Sequence, residues 1–495
     1  MSRFPDKLPE VFLSNAKISS GVSQALKEGK ILKIASRLYT KNLKDEPEQI
    51  VARNWHHVLK AYFPDALIAD RTALENKPAV DGSVFIISSK KRSIQLPGIF
   101  FKPRKGYGPL ESDRTFIHDL RISSEPRAYL ENIKPSRARK GTVPRTLSQK
   151  ELEEKLDKLL QLRGDDHVNQ IRDKARLIAP RLGMEKEFRK LDELIGALQG
   201  TRNARLVTGL AKARKNKEPY DSDRIETFLK LFEALQTIAP VARNSSGLSQ
   251  NARINLSFFE AYFSNFIEGT EFKVDEAADI VLKGMIPAER PEDAHDVMGT
   301  YRLVSNYHEM ANIPQGFDDF IMKLKYRHAE CLAMRKEKMP GEFKTTVNVA
   351  GVTQFVHPDL VTGTLKRGFE MLGGLEYPFH RAVFMMFLVS EVHPFTDGNG
   401  RLARIMMNAE LVAAGEQKII IPVIYRNNYL ASLKAMTHNQ TAAALIRTLD
   451  FAQKYTQSID WGDFNTARSQ LETTNAFMDP SAADHEGIRL KLPES

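Results

Sequence analysis

The 495-residue chain holds 72 lysines and arginines against 62 aspartates and glutamates, a net charge of +10 at pH 7, with 42% hydrophobic and 27% charged residues. Such a length calls for about three domains rather than one core, and so small a basic excess points to a polyanionic partner only where it clusters. A single cysteine, Cys331, excludes an intrachain disulfide or a cysteine-built metal cluster.

The N-terminal MSRFPDKLPEVF has no apolar segment behind a basic start, which argues against a secretory signal and for the cytoplasm. Next, Ser20 to Glu28 predicts a short helix ended by Gly29, and KILKIASRLYT alternates apolar and polar residues as a pair of strands does. A helix followed by a basic β-ribbon is winged-helix order; any small α+β domain is the alternative. The stretch ALKEGKILKIASRLYTKN resembles the N-terminal winged-helix domain of abortive-infection antitoxins of the AbiEi type. That resemblance implies a domain over residues 1–80 with DNA as partner. Ser19, Ser20, Ser23, Gln24 and Lys27 would lie on or beside the recognition helix, and Lys30, Lys33, Arg37 and Lys41 on the wing near phosphates.

Residues 81–131 form a strand-containing region, with SVFIISS and SIQLPGIFFKP as strands punctuated by Pro and Gly. A linker and helical region is expected over 132–249. Its first part, NIKPSRARKGTVPRTLSQ, is basic and Pro-containing like a solvated linker. Ser148 and Glu151 then make a capping box ahead of Leu152, Leu156, Leu159 and Leu160, the spacing of one helical face. Helical patterns continue to the end of the chain without an internal repeat, and a polar, aperiodic tail is expected over 461–495. The longest apolar run, Ala382 to Val389, reads as a buried helix, far short of the roughly 20 residues of a membrane span.

Three stretches between 250 and 460 carry chemistry. In RINLSFFEAYFSNFIEGTEF, Ile254, Phe258, Tyr262 and Phe266 mark a buried face, while Ser257, Ala261, Ser264 and Glu268 trace a stripe of small residues ending in a carboxylate. In GEFKTTVNVAGVTQFVHPDLV, Thr345, Val347 and Val349 alternate with Thr346, Asn348 and Ala350, and Ala350-Gly351 can turn the chain, which predicts a β-hairpin. In SEVHPFTDGNGRLARIMMNAE, a helix stops at His393-Pro394 and another restarts near Gly400. Free backbone N–H groups at the new N-terminus, flanked by Gly398 and Gly400, suit an anion. Arg401 and Arg404, three apart, can reach further phosphate oxygens. Asp397 offers the hard oxygen that a phosphate-bridging Mg²⁺ prefers, and His393 is the group able to take a proton near neutral pH.

HPFTDGNGRLAR matches without mismatch the HPFxDGNGRxxR signature of the Fic family, and the resemblance spans roughly residues 250–460. It implies a mainly α fold: an all-helical Fic core with a β-hairpin flap, preceded by the α+β winged-helix region. The activity implied is transfer of AMP from ATP to a Ser, Thr or Tyr hydroxyl of a target protein. His393 would be the base, Asp397 the Mg²⁺ ligand, and Gly398, Asn399 and Gly400 the anion hole. Arg401 and Arg404 would bind the β and γ phosphates, and Phe395 would shape the loop from beneath. Both glycines are kept, unlike relatives that phosphorylate their targets, so AMP transfer is favoured. The hairpin, with Thr346, Val347, Asn348 and Val349, would be the flap that holds the target by strand pairing. Ser264, Glu268 and Gly269 fit the family's inhibitory pattern, in which Glu268 would pair with Arg404 and displace the γ-phosphate. Removal of AMP with Glu268 positioning water is a further expectation. The same resemblance brings Tyr425, Asn428 and Tyr429 toward adenine or ribose. A DNA-binding regulator whose Fic core only senses nucleotide is the alternative; a metal hydrolase built on His380, His393 and Asp397 lacks a paired-ligand motif. No membrane partner is expected, and a homodimer is left open.

Overall fold

Strand patterns are confined almost entirely to the first quarter of the sequence and helical ones fill the rest. The computed structural model, which describes residues 8–138, 141–202 and 204–493, divides into two units, Met1–Lys217 and Glu218–Ser495.

In the first unit, β1 (Val11–Leu13), α1 (Ser19–Lys27), β2 (Leu32–Ala35) and β3 (Leu38–Thr40) follow one another, the strands forming an antiparallel sheet in the order β1-β3-β2. Gly29, at φ 65°, lets the chain turn out of α1. That helix buries Val22 and Ala25 and leaves Ser20, Ser23, Gln24 and Lys27 exposed. Of the four wing cations, three are engaged within the unit. Lys30 lies 2.6 Å from Glu28, Arg37 donates to the Ser14 carbonyl at 3.0 Å, and Lys41 to that of Leu8 at 2.6 Å.

Then come α2 (Pro47–Arg53), α3 (Trp55–Tyr62), β4 (Leu67–Ile68), α4 (Asp70–Glu75), β5 (Ser83–Ile87), β6 (Ile94–Leu96), β7 (Ile99–Arg104), β8 (Arg114–Thr115), β9 (Arg121–Ile122) and α5 (Glu125–Asn132). A second sheet has the order β6-β7-β5-β4-β9-β8. It straddles residue 80, and Val11, Leu38, Ile50, Val84 and Phe101 share one core. The boundary expected at 80 is therefore absent: with only three short strands, the first 60 residues complete their core on the next sheet. Nor are the described residues of 132–149 a free linker; residues 139 and 140 lie outside the described residues. Leu147 is buried, its N–H donates to Asn132 at 2.9 Å, and Arg145 pairs with Asp70 at 2.6 Å. The unit ends in α6 (Gln149–Leu182), α7 (Glu185–Leu198) and α8 (Gly209–Lys215). The predicted Ser148–Glu151 capping box starts α6.

The second unit comprises α9 (Ser222–Gln236), α10 (Gln250–Ile267), α11 (Val274–Lys283), α12 (Pro291–Ser305), α13 (Tyr307–Ala311), α14 (Phe317–Cys331), the hairpin β10 (Val349–Ala350) and β11 (Thr353–Gln354), α15 (Val361–Leu372), α16 (Pro378–Val392), α17 (Asn399–Ala413), α18 (Arg426–Asn439), α19 (Ala442–Ser458), α20 (Phe464–Thr473) and α21 (Pro480–Glu486). The apolar run of α16 is the centre of its core, as the sequence predicts, with α17 against it. Phe228, Leu231 and Leu235 of α9 enter the same core, so this unit starts at 218 and not at 250. The expected loose tail is also corrected: α20 and α21 lie within it, and Trp461, Leu471 and Ala476 pack with Phe259 of α10. On α10, Phe258 and Tyr262 are buried as expected, but Ile254 is 37% exposed. Ser257, Ala261 and Ser264 of the small stripe are buried as well, Ser257 donating to the Val304 carbonyl at 3.1 Å, because close helix approach excludes water from that face, while Glu268 at its end is exposed.

Candidate active site

Pro378 opens α16 at a position that needs no N–H, and the helix stops where His393 turns to φ 52° and Pro394 can no longer donate. The chain crosses five residues and re-enters a helix at Gly398, φ 71°, whose missing side chain leaves α17 without a side-chain cap. The first bond inside α17 runs from Leu402 N–H to the Gly398 carbonyl at 3.1 Å. The N–H groups of Asn399, Gly400 and Arg401 are therefore the open donors of a helix N-terminus.

Several contacts hold this loop rigid. Asn399 accepts the Phe395 N–H and donates to the Phe395 carbonyl, both at 2.9 Å. Its side chain is thus a clip, and only its backbone can serve an anion. Phe395 is fully buried and stacks on His328 of α14, centroids 3.8 Å apart. His328 accepts the Gly341 N–H at its Nδ1 at 2.9 Å, which makes Nε2 the protonated nitrogen that reaches the Asp397 carbonyl at 3.0 Å. Burial pushes this imidazole down to about 4, so it stays neutral in that role. The sequence reading missed His328: nothing in its helical surroundings distinguishes it from any half-buried histidine.

His393 is positioned in the same way. Its Nδ1 faces the Ser390 carbonyl at 3.2 Å, and its ring stacks on Phe355, just after β11, with centroids 3.9 Å apart. With Nδ1 as donor, Nε2 is the free acceptor. Burial holds the pKa down at about 4 against the Ser390 carbonyl, which favours the charged form. The ring is a neutral, oriented base at physiological pH.

A cavity of about 280 Å³ opens before it, lined among others by Glu268, Phe355, Glu391, Gly400, Arg404 and Tyr429. Glu268 follows the last turn of α10. Its carboxylate takes an Arg404 Nη2 hydrogen bond at 2.7 Å, while the same guanidinium donates to Ser264 Oγ at 3.0 Å and to the Ser264 carbonyl at 2.8 Å. A Cβ added to Gly400 would collide with the Glu268 carboxylate, so that carboxylate lies directly against the α17 N-terminus. Gly269, at φ 91°, releases the chain just after it.

Arg401 takes a different course from the one expected. It is 4% exposed and points away from Arg404, pairing with Asp296 at 2.8 Å and donating to Asn265 at 3.2 Å. Asp296 on α12 is itself buried and also holds Arg335 at 2.8 Å. A buried carboxylate demands counter-charge, and sequence spacing does not reveal one so distant.

Asp397 remains partly open. One oxygen accepts the Gly398 N–H at 2.7 Å and the other lies 3.6 Å from Lys338. Among the described residues no group of three His, Cys, Asp or Glu side chains could hold a metal by itself. Asp397 offers one hard oxygen, which fits a Mg²⁺ carried largely by phosphate and water.

The hairpin is present but shorter than expected. Val349 and Ala350 pair with Gln354 and Thr353, the turn falling on Gly351-Val352. Thr346 and Val347 lie before the ladder. Asn348 donates through its side chain to the Phe395 and Thr396 carbonyls at 3.1 and 3.0 Å, which ties the start of the hairpin to the loop. Of the three residues placed near a purine, only Tyr429 lines the cavity; Tyr425 and Asn428 line a separate one with Phe451 and Arg489.

Residues 321–411 match the Fic/DOC family model. The chain is 29% identical over 189 residues to the protein adenylyltransferase fic-1 of Caenorhabditis elegans, 36% of each chain. With the protein adenylyltransferase Fic of Drosophila melanogaster it shares 28% identity over 220 residues, 43% of each. The matched stretch thus spans less than half the length of these relatives. Among solved structures, Fic-1 from C. elegans aligns with a TM-score of 0.36 and 17% identity, over 65% of this chain and 88% of that one.

Proposed function

We propose, with residues 321–411 a Fic domain as the premise, that the second unit transfers AMP from ATP to a hydroxyl side chain of a target protein. The observation that carries this reading is the neutral His393 ring, tied at Nδ1 and free at Nε2, facing a cavity whose opposite wall is the uncapped start of α17. The Nε2 lone pair takes the proton of the incoming hydroxyl. The oxygen forms its bond to the α-phosphorus as the bond to the β-phosphate oxygen breaks, and pyrophosphate leaves. Backbone N–H groups of Asn399, Gly400 and Arg401, with Arg404, stabilise the charge on the phosphates. Mg²⁺, held by Asp397, would neutralise phosphate charge when bound.

As the chain stands, Glu268 takes the Arg404 hydrogen bond and lies against the turn that carries the backbone donors. Its carboxylate against Gly400 and Arg404 supports an autoinhibited state in which a triphosphate meets a like charge where its γ-phosphate belongs. Purified chain incubated with labelled ATP and Mg²⁺ tests the reading: Glu268→Gly should gain label at least tenfold over the unchanged chain, and adding His393→Ala should abolish it. An unlabelled Glu268→Gly chain, with or without candidate targets, would sink the proposal.

A second reading, DNA binding by the first unit, draws on the exposed polar face of α1, Ser20, Ser23, Gln24 and Lys27. His393→Ala would leave that binding intact, and a Ser23→Ala, Gln24→Ala, Lys27→Ala triple variant would remove any shift of duplex DNA on a gel.

A further inference from the structure

The outer strand of the hairpin is pinned by residues that lie outside the matched domain. Arg224, on α9, is ion-paired with Glu391, and its Nη2 donates to the Gln354 carbonyl at 2.6 Å. Glu391 is 3% exposed, lies two residues before His393, and also accepts from Thr437 of α18 at 2.6 Å. On the same strand Thr353 Oγ1 lies 2.8 Å from His438 Nε2. β11 is therefore fastened to α9 and α18 by polar contacts, α9 being tied in turn to α16 through Arg224 and Glu391, and the next residue, Phe355, is the ring stacked on His393.

The pairing pattern tells the two edges of the hairpin apart. Phe355 N–H donates to the Asn348 carbonyl at 3.1 Å, so the pair Asn348–Phe355 is a bonded one. In an antiparallel ladder its neighbour, Val349–Gln354, then turns its N–H and C=O groups outward on both sides. On the β11 side, the outward Gln354 carbonyl is taken by Arg224. On the β10 side, the outward groups of Val349 have no partner among the described residues, and Val349 is 66% exposed.

We propose that Arg224 is a positioning residue for the transfer: held by Glu391, it fixes the Gln354 carbonyl, closes the outer edge of β11 and, through Phe355, sets the His393 ring. This rests on the transfer reading above for its chemistry but not for its geometry.

Hydrogen–deuterium exchange on the full chain, read on peptides covering 345–357, tests the clamp. Arg224→Ala should speed flap exchange at least tenfold while α16 and α17 stay as protected as before. Arg224→Lys should fall between, since lysine keeps the charge beside Glu391 but lacks the fork that reaches two acceptors. In the Glu268→Gly background, Arg224→Ala should lower the rate of self-labelling at saturating MgATP at least tenfold, with the half-saturating ATP concentration within twofold. Unchanged flap exchange would overturn the clamp, and a loosened flap with an unchanged labelling rate would overturn the positioning role. Failure of the Glu268→Gly chain itself to take label would count against the transfer reading instead, and the exchange result would still judge the clamp.

Discussion

In the proposed transfer, Glu268 and a nucleotide phosphate would compete for Arg404 and for the space at the uncapped turn that begins at Gly398, because both are anions. Gly400 is where this competition is tightest. Gly400→Ala would put a methyl group against the Glu268 carboxylate, and it would equally obstruct a phosphate oxygen. Gly400→Ala in the Glu268→Gly background should therefore lose AMP incorporation by two orders of magnitude or more instead of gaining it, as labelled-ATP assays would read. His393 sets the pH response at this scale. Its pKa near 4 keeps Nε2 available as an acceptor from neutrality down through pH 6. The transfer rate of Glu268→Gly should accordingly show no fall between pH 8 and 6, and rate measurements over that range check it; a decline with midpoint near 6.5 would mean that the ring is not desolvated.

At the scale of elements, the loop between α16 and α17 depends on α14 for its shape. His328 supplies the stacking surface for Phe395, the donor for the Asp397 carbonyl and the acceptor for Gly341. His328→Ala removes all three, leaving the buried Gly341 N–H without its acceptor, at a cost of about 1–3 kcal/mol, and the Asp397 carbonyl with only the 3.5 Å contact to Asn399. The expected outcome is a melting temperature several degrees lower and a transfer rate reduced about tenfold or more in the Glu268→Gly background. Both imidazoles also tie stability to pH. Their folded pKa values, about 4, lie below the ordinary value of 6.5, so between these limits the unfolded chain binds protons that the folded chain refuses. Stability rises with pH across that window and falls as pH drops from 6.5 toward 4. Urea unfolding at pH 7 and pH 5 should show the fall, and His328→Gln should show less of it.

For the whole molecule, the division after Lys217 means that α9 and the last helices belong with the unit that holds the candidate site. A chain covering Glu218–Ser495 should unfold in one cooperative transition. One ending at residue 460 should not, because it loses Trp461 and Leu471 from the face that covers α10. Fully burying a large apolar side chain is worth about 1.5–3 kcal/mol, so two of them approach the whole margin of a marginally stable domain. Differential scanning calorimetry of the two truncations distinguishes these outcomes.

Local chemistry was legible in the sequence. The His-Pro stop, the glycines around the new helix start, the Ser148–Glu151 cap and the apolar run of α16 act over a few residues, and spacing alone expresses them. The pairing of Glu268 with Arg404 was accessible only through a motif, since 136 positions separate the two residues. Distant counter-charges were not legible at all: Asp296 draws Arg401 aside, Arg224 reaches Glu391 and Gln354, and His328 supports a loop 69 residues later. The tail and the presumed linker were misjudged for a related reason. Polar, aperiodic segments become ordered when a few of their side chains enter a core built elsewhere, and only the packed chain reveals where that core is. Sequence by itself thus determined which groups gather at the turn between α16 and α17, because neighbours along the chain stay neighbours in space. Tertiary structure decided which arginine is available, what holds the hairpin and where the unit carrying the candidate site begins, because those depend on buried groups seeking partners across the fold.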